Sequence, residues 1–151
     1  MTLSWLMAAL ALLQPQATSD WRLVYNANFR VAAIELSSID ADAEGGPTAR
    51  LVSVWRDPPS INAQVSDYSM NKVQIECEGL QFRLLEASGH NLGGETVWSD
   101  NSGTAWHDIN PASSYAKAAA ALCSNEWPKE TLFQSPDQLV QVARQLWPAA
   151  E

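Results

Sequence analysis

The chain has 151 residues, with 9 basic against 17 acidic side chains and a formal net charge of -8 at pH 7. At about 100–200 residues per domain this length holds one domain, and 46% hydrophobic with 17% charged residues describes a folded chain. The acidic balance argues against nucleic-acid or anionic-membrane binding, because both need clustered Lys and Arg against phosphate. Two cysteines and two histidines leave little for a multi-ligand zinc site.

Met1 to Leu13 reads MTLSWLMAALALL, apolar and uncharged, followed by Gln14-Pro15-Gln16. The run has the length of a signal-peptide apolar segment and falls short of the roughly 20 apolar residues of a bilayer span. Ala17 and Ser19 place small residues where a signal peptidase cutting before Asp20 needs them, so residues 1–19 are expected to be a secretory signal, although no Lys or Arg precedes the run. The competing reading is an apolar first helix packed on the domain. Cleavage before Asp20 leaves no cysteine at the new start for a lipid anchor and no later span-length apolar segment. No Asn-x-Ser/Thr acceptor occurs either, and the expected location is the periplasm or the medium.

Trp21–Tyr25 and Phe29–Glu35 are short apolar runs separated by Asn26-Ala27-Asn28, the pattern of a hairpin. Arg50–Trp55 alternates with a period of two between the breakers Glu44-Gly-Gly-Pro47 and Asp57-Pro-Pro59. Val73–Cys77 and Leu80–Leu84 alternate on either side of Glu78-Gly79 and form the clearest hairpin, and Thr96–Trp98 is a sixth strand. The period then changes. Pro111–Cys123 is Ala-rich with Ser113 or Ser114 as N-cap, and Ser135-Pro136-Asp137 opens a second helix with Leu139, Val142, Ala143 and Leu146 at helical spacing before Pro148. Strands first and helices last predict an α+β domain: an antiparallel sheet of about six strands, a helix packed on one face and an extra terminal helix. The apolar stripe of that last helix must be buried on the sheet or on a partner.

Cys77 lies between Glu76 and Glu78, whose carboxylates disfavour a thiolate nucleophile. In an exported chain a Cys77–Cys123 disulfide pinning helix to sheet is preferred over two buried thiols. Asp40-Ala-Asp42-Ala-Glu44-Gly45 resembles half of a calcium loop, but the position needing a bidentate Glu is Leu51, so a solvated turn is preferred. His107-Asp108 reads as a surface pair, and His90 has no evident partner. No credible catalytic set emerges, and neither a cofactor nor a metal is expected. Six tryptophans follow Ser19; core packing or a dimer contact is favoured over a ligand platform, with Trp98 and Trp106 the candidates for ligand binding.

The ordered set Trp21-x-x-Val24, Glu35-x-x-Ser38-Ile39, Val52-x-Val54-Trp55, Ile75-x-Cys77, Phe82-Arg83-Leu84, Gly94-x-x-Val97, Trp106-x-x-Ile109-x-Pro111-x-Ser113 and Cys123 resembles the surface-adhesin protein E family of small exported bacterial domains. The resemblance covers Trp21 to Cys123 and assigns 20–125 to that domain and 126–151 to a C-terminal helical extension. It implies an antiparallel sheet with a helix against it, a disulfide between Cys77 and Cys123, and a non-enzymatic surface or periplasmic protein, in a family whose named member binds host extracellular-matrix proteins and can dimerise. Glu35 stands where the family more often has Asp, and the family pattern does not account for the extension. The leading expectation is therefore a non-catalytic protein-interaction module. The alternatives are a periplasmic small-ligand or glycan-binding module and an acidic inhibitor of a basic periplasmic enzyme.

Overall fold

Period-two alternation becomes strand wherever one side of the chain has a core to face. The computed structural model describes residues 20–128 and 130–147. The expected secretory signal, 1–19, and the helix-ending Pro148 lie outside the described residues. The strands are β1 (Trp21–Ala27), β2 (Arg30–Glu35), β3 (Thr48–Trp55), β4 (Tyr68–Glu76), β5 (Gln81–His90), β6 (Thr96–Asp100), β7 (His107–Asp108) and β8 (Leu132–Phe133). A single 3-10 turn follows β2, and two α-helices, α1 (Ser114–Ser124) and α2 (Pro136–Leu146), complete the set. All strand pairs are antiparallel, in the order β6-β5-β4-β3-β2-β1-β8, with β7 pairing β5. This is an α+β domain. The two strands beyond the expected six, β7 and β8, are two residues each, too short to impose a period on the sequence.

The helices lie on opposite faces of the sheet. Ser113 caps α1 by accepting from the Ala116 amide, and the chain leaves through Asn125 in the left-handed region, one of the few residue types that tolerates it. Ala118, Ala119 and Ala121 press on Val24, Ala32, Ile34, Leu51, Val73 and Ile75. Small alanines let the helix sit close to the strands. On the other face Ser135 caps α2, Pro136 supplies its first turn, and Leu139, Val140 and Ala143 pack on Trp21, Val31, Ala33, Val52, Val54 and Phe133. Covered on both sides, β2 is buried at every position. Of the apolar stripe of the last helix, Leu139 and Ala143 are buried on this sheet and Val142 packs partly against it, whereas Leu146 is 54% exposed. Among the described residues no helix is long and apolar enough to cross a membrane.

Polar ties fix α2 in place. Asp137 accepts from the Gly93 amide in the turn between β5 and β6 at 2.9 Å, and Arg144 reaches Asp67, just before β4, at 2.5 Å. On the opposite face a disulfide joins Cys77, just past β4, to Cys123 in the last turn of α1 across a separation of 46 residues. In the chain-entropy treatment, closing a loop of that length stabilises by about 4 kcal/mol. The Cys77→Ala/Cys123→Ala double variant is expected to lose about that much in urea unfolding; a loss below about 1 kcal/mol would show that α1 needs no covalent tie. Leu139→Ala, which empties the centre of the α2 contact, is expected to cost about 2–5 kcal/mol in the same assay.

Candidate functional site

The site begins where α1 stops covering its face. Cross-strand register on that face places Ser53, Ser69, Gly89 and Trp98 in one row over β3–β6, and Leu51, Asn71, Ala87 and Asp100 in the next. From β4 outward the positions between the tryptophans are small or polar, so the sheet floor stays low. The segment between β3 and β4, with Pro58, Pro59 and Ile61, rises as a wall beside it. The result is an open cavity of about 510 Å³ between Trp55 and Trp98, with Tyr68, Leu84 and Thr104 also at its surface.

The Trp98 indole sits over Gly89, a neighbour with no side chain to displace it. A Cβ on Gly89 would meet the indole Nε1 at 2.1 Å and Cε2 at 2.6 Å. The Gly89 position is therefore read as indole space rather than as chain flexibility. Trp55 is held from behind. The Arg30 guanidinium lies 4.2 Å from the Trp55 ring centre and 5.7 Å from that of Tyr115, while its Nη2 donates to Ser53 Oγ at 2.6 Å. Arg30 is buried and has no carboxylate partner, and its Nε bonds to nothing among the described residues. Burial pushes its pKa down, and the nearby Tyr115 and Tyr25 hydroxyls only partly offset this. Two aromatic faces replace part of the lost hydration, each worth about 0.5–2 kcal/mol.

Asp100 is the one charged side chain at the cavity surface, and no Lys, Arg or His lines it among the described residues. Hydrogen bonds from the Ser102 hydroxyl and amide, both to Oδ1, hold its carboxyl below the usual range, so it stays ionised. Tyr68 is the opposite case. Burial, then the Asp137 and Asp67 carboxylates, push its phenol up, and it remains neutral.

The two tryptophans singled out from the sequence part company here. Trp98 forms one end of the cavity, whereas Trp106 stacks 4.6 Å from the guanidinium of Arg83, a residue whose strand position faces the other side of the sheet. Trp21 is in the core under α2, and Trp127 lies against Arg22. Trp55 is the site residue that sequence reasoning missed. Its neighbours Leu51 and Ser53 marked a half-polar strand face but did not show which half was open. His107 rests on Phe82 at 5.8 Å and Asp108 accepts from Gln81 at 3.0 Å, both exposed.

His90 does have partners, contrary to the sequence reading. Its Nε2 lies 2.7 Å from Ser88 Oγ, its ring stacks on Tyr68 at 5.2 Å, and Nδ1 is 3.4 Å from the Thr96 hydroxyl. One arrangement satisfies all three groups. Ser88 donates to the Met70 carbonyl at 3.2 Å and accepts from His90 Nε2–H. In that tautomer the imidazole cannot take the serine proton, and no carboxylate orients it from behind. The pair ties β5 to β4.

Comparison of the chain with protein-family models, with curated proteins and with solved structures found no match. Gly89→Ala is expected to lift the Trp98 indole from the sheet, changing its near-ultraviolet circular dichroism and costing about 1–3 kcal/mol in thermal unfolding. An unchanged spectrum would mean that the indole does not rest there.

Proposed function

We propose that the protein is an exported, non-catalytic binding module that seats its ligand in the cavity between Trp55 and Trp98. The observation that carries this reading is the cavity itself, about 510 Å³ on the part of the sheet that α1 leaves uncovered, with an indole at each end. Concave, mostly apolar sites with a few convergent polar groups are the usual form of small-ligand sites. Here Asn71, Ser69 and Asp100 are those groups. The disulfide supports export, since such bonds persist in oxidising compartments.

The second reading is a protein-interaction module of the surface-adhesin protein E kind, in which side chains of an envelope or extracellular protein enter the same cavity. Ile61 and Val65, 39% and 55% exposed on the wall segment, favour it because they extend the apolar surface beyond the cavity mouth. The sheet with α1 against it and the Cys77–Cys123 disulfide agree with what the resemblance implies.

Titration calorimetry with muropeptides, aromatic amines, aromatic acids and immobilised matrix proteins separates the two. Whichever ligand binds, Trp98→Ala is expected to weaken it by about tenfold to a hundredfold. Trp106→Phe is expected to leave the affinity unchanged. Equal binding by native protein and Trp98→Ala would remove the cavity from the function.

A further inference from the structure

The polarity of the cavity identifies a ligand class. At the β6 end, Trp98 and Asp100 stand two residues apart on the same strand face and both line the cavity. Asp100 receives both of its bonds from Ser102 on Oδ1. Its Oδ2 accepts no hydrogen bond among the described residues. At the β3 end, the Trp55 face turned towards α1 is already occupied by the Arg30 cation, so a second cation on the free face would be repelled across the ring. That end offers Pro58, Pro59 and Ile61, which suit an uncharged body.

We infer that the cavity selects an organic ammonium compound, its cation between Trp98 and Asp100 and its apolar body against Trp55, Pro58 and Ile61. The inference rests on the cavity reading above and adds a sign and an orientation to it. An aromatic face with a carboxylate beside it attracts a cation twice, through the ring quadrupole and through charge. An anion would meet Asp100 with nothing to neutralise it. A hydroxylated neutral ligand could hydrogen-bond Asp100 but would gain nothing from low salt.

The test uses three probes with one phenyl body: phenylpropylamine, phenylpropanol and phenylbutanoate, titrated into the oxidised protein at low and high salt. The amine is expected to bind about tenfold more tightly than the alcohol, with the carboxylate weakest and the amine advantage shrinking as salt rises. Asp100→Asn keeps an acceptor for Ser102 and should bring amine and alcohol within about threefold of each other. A lysine-containing peptide and its acetyl-lysine counterpart form a second arm. Preference for the lysine peptide over phenylpropylamine would place the ammonium on a partner protein, and the reverse on a free amine. Alcohol or carboxylate binding as well as the amine, with Trp98→Ala still abolishing it, would overturn the charge selection and leave the cavity reading standing. Binding of none of the probes, or binding indifferent to Trp98→Ala, would sink both.

Discussion

A sheet this wide cannot be covered by one short helix, and most of the molecule follows from that mismatch. Seven strands side by side span about 29 Å at the usual spacing, whereas an eleven-residue helix is about 16 Å long and about 10 Å across. One helix on each face buries the middle strands from both sides, which is why β2 carries no exposed residue. On the α2 face the core continues from Phe133 to Tyr68. On the α1 face the helix covers β1 to β3 and the near half of β4, and the outer rows of β4, β5 and β6 have no helix above them. The choice of residues there decides between a filled surface and a cavity. Ser69, Ala87 and Gly89 are too small to fill it.

Arg30 marks the line between the two regions. A cation without a carboxylate partner at a buried strand position costs free energy. What the guanidinium supplies is orientation. It lies against the rings of Trp55 and Tyr115, binds the Ser53 hydroxyl, and so backs the Trp55 ring at the edge of the core. It also sets the potential at that end of the cavity. The positive charge sits behind one indole, and the negative charge sits beside the other. A ligand therefore meets a field with a direction, although the chain as a whole carries a net charge of -8.

The parts of the fold that were legible in the sequence were those with a packed core on one side. Arg50–Trp55 and Val73–Ile75 alternate because Leu51, Ser53, Val73 and Ile75 turn towards α1 or its border. The first half of β4, Tyr68–Lys72, and the second half of β5, Glu86–His90, lie beyond the strands that the sequence predicts, for the same reason that the cavity exists. Their positions on the α1 face, Ser69, Asn71, Ala87 and Gly89, form the cavity floor or lie under the Trp98 indole and carry no bulky apolar side chain, so the apolar signal on that face ends where the site begins. In the sequence Trp98 is a tryptophan on a half-polar strand face, shared with Thr96, and Trp106 is a tryptophan outside the predicted strands. The register, with Gly89 opposite Trp98, is what brings one of them to the site. Arg30 gave no signal, since a polar residue opening a strand is ordinary.

The two faces of the sheet are nevertheless coupled at one residue. Asp67 ends the segment that walls the cavity. It accepts from the Leu92 amide at 2.8 Å, beyond β5, and from Arg144 of α2, which packs on the opposite face. Arg144 is more than half exposed, so the ion pair contributes about 1 kcal/mol at most. Its role is geometric. Pro58 and Pro59 stiffen the rising part of the wall, but the return to the sheet passes through Ser66 and Asp67, and Ser66 stands at the cavity beside the Trp98 indole. The C-terminal helix thus does more than cover apolar surface. By holding Asp67 from the far side, it sets the position of the wall against which a ligand would rest, and the width of the cavity depends on a helix that never touches it.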